Sequence, residues 1–143
     1  VFDLHGEYIS HVNAEGAHEV DESGKIYHSG DNVEGIGDGD DEQISVELKD
    51  LPAEISAILF IATIKSGQSF KDIHDPEIRL ADGYSGHNFL HVDLKGAAGN
   101  DKSAFVFAGL VKGEDGAWVM RHIAEFVDTS VGGDWADALK RYI

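Results

Sequence analysis

From Gly30 to Glu42 the chain reads Gly-Asp-Asn-Val-Glu-Gly-Ile-Gly-Asp-Gly-Asp-Asp-Glu, which gathers six carboxylates into thirteen residues. Carboxylates crowded in this way repel one another. A hard divalent cation that accepts several of their oxygens offsets the repulsion, and oxygen donors are what calcium and magnesium select. Gly35, Gly37 and Gly39 let the backbone pass close to an ion and turn carbonyl oxygens towards it. The residues taken alone admit calcium, magnesium or a solvated acidic turn, and the number of oxygen donors favours calcium. Asp31 and Glu42 have the separation of the first and last ligands of an EF-hand. However, Val33 and Gly35 stand where oxygen side chains belong, and Ile36 replaces the turn glycine, so that motif is excluded.

Other chemistry has weaker support. Eight histidines (His5, His11, His18, His28, His74, His87, His91 and His122) raise the question of zinc. They are scattered, no HExxH sequence aligns two of them on a helix, and they read as surface residues. The absence of cysteine removes disulfides, thiol catalysis and thiolate metal sites. Ser45 and Ser103 lack the surroundings of a nucleophile elbow, and Gly83, Gly86 and Gly99 lack the compact order of a dinucleotide fingerprint. Asp38 and Asp41 form a conceivable acid pair, yet a bound cation keeps such a pair ionised, so a calcium-assisted hydrolase is the alternative reading and an enzyme is not expected.

The whole chain shares this acidity. It has 143 residues, with 27 Asp and Glu against 11 Lys and Arg, and a formal charge of -16. Such a surface repels phosphate backbones, so nucleic acid is not an expected partner. Its length fits one domain, residues 1–143, and 42% apolar composition is enough for a core. Neither a leader pattern nor a run approaching the length of a membrane span is visible, so no transmembrane segment is expected.

The elements that must position the loop read mainly as strands. Val1 to Ile9 and Gly24 to Tyr27 suggest short ones. Ile44, Val46 and Leu48 alternate with polar neighbours, which predicts a half-buried strand with those three side chains inward. Ala53 to Ile64 is rich in branched residues, which favour a central strand over a buried helix, the alternative that its length admits. Ile78 and Leu80, then Phe89 to Leu94, supply two more. Residues 103–111 and 117–127 flank an acidic turn and predict a terminal hairpin. Asp134 is a candidate cap for a final helix with Trp135, Ala138, Leu139 and Tyr142 on one apolar face. Trp118, Phe126 and Trp135 are expected to be packing anchors.

The loop string followed by Gln-Ile-Ser-Val-Glu-Leu resembles the calcium-binding TerD family of tellurium-resistance and stress-response proteins. The Gly-Asp-Asn start falls on Gly30, Asp31 and Asn32, and the Gly-Asp-Gly-Asp-Asp-Glu finish on Gly37 to Glu42. Glu34 stands where a threonine is usual. The likeness runs from residue 24 to 133, through Leu51 to Ile64, Gly67 to Phe70 and Ser103 to Gly109. It implies an all-β sandwich of two sheets with a short C-terminal helix, and two neighbouring calcium ions held by Asp31, Asn32, Asp38, Asp40, Asp41 and Glu42. Phe2, Asp3 and Leu4 are similar to the family's amino-terminal segment, which adds Asp3 to the set. His5 replaces an aspartate there and the following strand region is shortened, a departure that bears on one amino-terminal ligand. The resemblance further implies a non-catalytic stability or interaction module, in the cytoplasm or peripheral to the membrane, with other proteins of a stress-response complex as partners.

Overall fold

Backbone pairing follows the apolar runs. The computed structural model describes residues 1–31, 40–64, 67–127 and 135–143, with the side chains of 30, 31 and 135 left aside. Its strands are β1 (Ile26–Asp31), β2 (Glu42–Val46), β3 (Ala57–Thr63), β4 (Glu77–Ala81), β5 (Asn88–Asp93), β6 (Ala104–Lys112) and β7 (Trp118–Val127), followed by helix α1 (Trp135–Leu139). All strand pairs are antiparallel, in three sheets of order β1-β2, β3-β6-β7 and β4-β5. The all-β architecture with a short C-terminal helix is therefore present. No helix among the described residues is long and apolar enough to cross a membrane. The chain divides into two compact units, Val1–Ser56 and Ala57–Ile143.

The first unit is built on the β1-β2 hairpin. Ile26 is fully buried and faces Val46 across the ladder. On its other side β1 is held by residues 19–21, where the Glu19 carbonyl accepts the His28 N–H at 2.7 Å and Val20 bridges Tyr27. Phe2 and Ile55 are buried too, and the Ser56 N–H donates to the Phe2 carbonyl at 2.9 Å. The predicted inward set of β2 is only partly covered, with Ile44 39% and Leu48 38% exposed. A two-stranded ribbon has little to lay over its far end, and the cover concentrates at Ile26.

In the second unit β6, rather than the expected 53–64 segment, is the middle strand. The reason lies in its composition: Ala104 to Gly109 are buried without a break, so both faces are covered. The β3 side chains become progressively less buried along the strand. β4 and β5 contribute Ile78, Leu80, Leu90 and Val92 to the same apolar cluster that receives Phe60, Phe105, Phe107 and Phe126, so sheet packs on sheet across it. Phe105 and Phe126 are cross-strand partners with ring centroids 4.7 Å apart, and Phe70 meets Phe126 at 5.5 Å. Gly99 packs on this ring, since a Cβ added there would lie 3.3 Å from Phe126 Cδ2 at a φ of +91°.

Two irregularities bend the sheet. Phe107 is the extra residue of β6 against β3, and Ile123 with Ala124 oppose it from β7. Ala124 adopts a φ of 53°, the left-handed region that a Cβ disfavours. In the terminal segment Leu139 is buried and Tyr142 half-buried as expected, while Ala138 is exposed and Ala136 is buried in its stead. Arg141 ties this segment to β7 through Glu125 at 2.8 Å. Trp118 is half-buried beneath the Lys112 ammonium, 5.1 Å from the ring centroid, and Phe126 alone of the three expected anchors is shown in the core; the Asp134 cap and the Trp135 side chain lie outside the described residues.

Several aspartates are committed to turns, and three of these have lowered pKa values. Asp21 Oδ1 accepts the N–H groups of Lys25 and Ile26 at 3.0 and 2.9 Å, and its Oδ2 accepts the Ser23 hydroxyl at 2.6 Å. Burial pushes its pKa up, but the Ser23 hydroxyl and the three backbone donors outweigh it, and the carboxyl ends below its ordinary value. Asp72 is lowered by the Ser69 N–H and hydroxyl, and Asp82 by the Ser85 hydroxyl and the Tyr84 N–H.

Ala124→Gly is expected to raise the melting temperature by relieving a strain of about 1 kcal/mol, and Ala124→Val to lower it, as differential scanning calorimetry would show. Depressed folded-state pKa values supply stability above the unfolded value near 3.9 and withdraw it as pH falls through the folded values. Asp21→Ala should therefore cost about 1 kcal/mol at pH 7, with the gap to the native protein narrowing below about pH 4 in thermal melts.

Candidate functional site

The acidic loop is the connection of the β1-β2 hairpin. The register runs Ile26↔Val46, Tyr27↔Ser45, His28↔Ile44, Ser29↔Gln43, then shifts so that Asp31 faces Glu42. Gly30 is the extra residue at this bulge. Pairing Asp31 with Glu42 brings the first and last carboxylate-bearing residues of the loop to opposite positions on one ladder, and the intervening residues must close between them. Adjacent Cα partners in such a ladder lie about 4.5–5.5 Å apart.

The seven candidate ligands divide by place. Asp31 is described by its backbone, as the last residue of β1. Asp40 and Asp41 are exposed at the entry to β2, and Glu42 opens that strand with a side chain 62% exposed. Asn32 and Asp38 lie outside the described residues, as do Glu34 and the three glycines. Asp3 sits in a turn of its own: its Oδ1 accepts the N–H groups of His5 at 2.8 Å and Glu7 at 2.9 Å, while Phe2 bridges Tyr8. The carboxylate thus organises the segment that contains the His5 departure. Among the described residues, no three histidine, aspartate or glutamate side chains group to hold a metal.

Charge along the hairpin is uneven. Lys25 and Glu47 pair at 3.0 Å at the end remote from the loop. At the loop end, His28 places Nε2 3.7 Å from Glu42 Oε2, its side chain only 6% exposed. Sequence reading grouped His28 with the surface histidines. The signal available was its parity: His28 follows Ile26 by two residues in an extended strand and shares its buried side. The remaining histidines make local contacts: His91 with Glu77 at 3.2 Å, His74 with Asp75 at 3.3 Å, and His11 with the Tyr8 hydroxyl at 2.5 Å and the His18 ring at 4.2 Å. Ser45 accepts a hydrogen bond from the Gln43 side chain at 3.3 Å.

The acidic composition of residues 30–42 supplies the type of oxygen donor that hard cations select. Comparison with known proteins bears on the same segment. A family model described as the TerD domain matches residues 17–133. The chain is 39% identical over 108 residues to tellurium resistance protein TerX of Serratia marcescens, covering 72% of this chain and 50% of that protein. It is 28% identical over 123 residues to general stress protein 16U of Bacillus subtilis (strain 168), covering 83% and 58%. It thus spans about half the length of these curated relatives. A crystal structure of a homologue of telluride resistance protein (TerD) from Streptomyces coelicolor A3(2) shares the fold, with a TM-score of 0.66 at 21% identity over 76% of this chain and 64% of that one.

Proposed function

The chain belongs to the TerD domain family, and from that premise we propose that it is a calcium-dependent stability or interaction module without catalytic activity of its own. The observation that supports this is the register that sets Asp31 opposite Glu42 and makes the carboxylate loop the closure of a hairpin. Asp31, Asn32, Asp38, Asp40, Asp41 and Glu42 would hold two calcium ions, with Asp3 supplementing them from the amino-terminal turn. Bound calcium supplies charge neutralisation where the carboxylates otherwise repel. The chain's own residues do the rest: the β1-β2 ladder fixes the loop ends, and the bulge at Gly30 turns the strand into the loop. The names of relatives, which refer to tellurium resistance and general stress, support a role in a pathway of that class, and the partners would be other proteins of a stress-response complex, in the cytoplasm or at the membrane periphery.

Isothermal calorimetry with metal analysis tests this directly. The metal-stripped, folded chain should take up about two equivalents of calcium, and Asp40→Ala should lose affinity or stoichiometry. No specific uptake by folded native protein would refute the site, and a single equivalent would reject the paired arrangement while keeping calcium.

A further inference from the structure

The amino-terminal segment folds back on itself twice. In residues 1–10, Phe2 bridges Tyr8, the Ile9 N–H donates to the Val1 carbonyl at 2.9 Å, and the buried Phe2 ring meets the Tyr8 ring edge-on at 6.4 Å. Residues 13–18 make a second turn, closed by the Asn13 N–H on the His18 carbonyl at 2.9 Å and the His18 N–H on the Glu15 carbonyl at 2.6 Å. Side chains join the two turns. Tyr8 shares a hydrogen bond of 2.5 Å with His11 Nδ1, and the His11 and His18 rings lie 4.2 Å apart with 33° between their planes. Just beyond His18 the chain enters Glu19 and Val20, which hold β1.

Two imidazoles at that separation accept a first proton readily and a second only against the charge of the first. Turning a ring away would relieve the repulsion, but both rings are restrained. The Tyr8 hydroxyl can donate to Nδ1 or accept from it, so the bond serves either protonation state of His11 and keeps that ring in place. His18 is fixed by its own backbone, at its N–H and at its carbonyl. Both residues are exposed, so protons reach them without prior opening. His11 titrates below its ordinary value of 6.5: partial loss of hydration comes first, the charges of His18 and the Val1 amino group add to it, and Glu15 acts in the opposite sense. With Tyr8, these are the titratable groups that face His11 among the described residues, and Glu19 adjoins His18 in the chain.

We propose that the His11 and His18 rings form an acid-sensitive clasp between residues 1–11 and residues 13–18, closed while the pair carries one proton or none and opened when the second arrives. The clasp is independent of the calcium reading. With the rings tethered, the repulsion is relieved by moving backbone, and the contact that yields is the Asn13 N–H on the His18 carbonyl. A folded-state pKa below the ordinary value gives the closed form its full stability above 6.5 and withdraws it as pH falls through the lowered value. Acid thus frees the amino-terminal turn while the β1-β2 ladder stays paired.

The test is a nuclear magnetic resonance titration of the full chain from about pH 7.5 to about pH 5. At the upper end a ring-to-ring contact between His11 and His18 is expected, together with protection of the Asn13 amide from hydrogen exchange, corrected for its intrinsic rate. Both should be lost as pH falls through the His11 midpoint, which itself lies below 6.5. The β6 amides should keep their protection, and if they lose it together with Asn13 the clasp is overturned in favour of acid unfolding. His18→Gln, which removes the second charge and keeps a polar side chain, is expected to raise the His11 midpoint and to leave the Asn13 amide protected throughout. If that variant does not fold, His18→Phe replaces it for the Asn13 measurement, retaining a ring against His11. The Val1 amino group is present in both variants, so an equal loss of Asn13 protection in native protein and variant overturns the role of the pair. Persistence of the ring contact and of Asn13 protection in the native protein down to about pH 5 overturns it as well. So does a His11 midpoint that His18→Gln leaves unchanged.

Discussion

Cross-strand pairing of β1 with β2 is the constraint on which the arrangement of the first unit depends, because a ladder fixes its partners whatever their charge. Once Ile26 is buried against Val46, the ladder sets the pairs as far as Ser29 and Gln43, and the bulge at Gly30 then brings Asp31 opposite Glu42. Moving the pairing by one residue would carry Ile26 out of the core. The apolar contact at one end of the hairpin thereby sets the electrostatic problem at the other. Lys25 and Glu47 neutralise each other in an exposed pair at the end remote from the loop, which leaves the loop end acidic.

In the second unit, continuity of apolar character has the same organising role. β6 is buried on both faces, and Phe105, Phe107 and Phe126 link the three-stranded sheet to the β4-β5 hairpin. Turns carry most of the polar obligations. Asp72 and Asp82 satisfy neighbouring donors within three residues, and Asp21 in the first unit within five, so these carboxylates are occupied by the fold. This separates the chain's acids into those that shape turns and those gathered in the loop. The distinction cannot be read from net charge.

Local pattern made much of this legible in the sequence. The terminal hairpin, the strand at Ile78 and Leu80 and the strand beginning near Phe89 follow from alternation and turn residues, and the loop was evident from its composition. What escaped depends on long-range placement. The segment 53–64 and β6 have similar apolar content, and only the sheet order shows which has neighbours on both sides. The inward assignment of Ile44 and Leu48 assumed a covering layer that the two-stranded ribbon lacks. Helical spacing on α1 found Leu139 but took Ala138 for Ala136, because a helix of five residues does not establish a full stripe. At the site, Asp3 matched a motif position, but its use in capping a turn required the fold of residues 2–8 to be seen. His28 was hidden among seven other histidines because its burial follows from the side of β1 that it shares with Ile26.

The bulge at Ile123 and Ala124 has a consequence for how molecules meet. Among the described strands β7 borders only β6, and a ten-residue strand with a regular outer row of N–H and C=O groups would offer a template to another chain. The left-handed turn at Ala124 breaks that row near its middle and twists the two halves apart, while Arg121, His122 and Glu125 add charge or polarity on either side. A second β7 could pair along four or five residues before the register failed. The backbone irregularity that costs the folded chain some stability thus also guards it against growing into a continuous sheet with its own copies at high concentration.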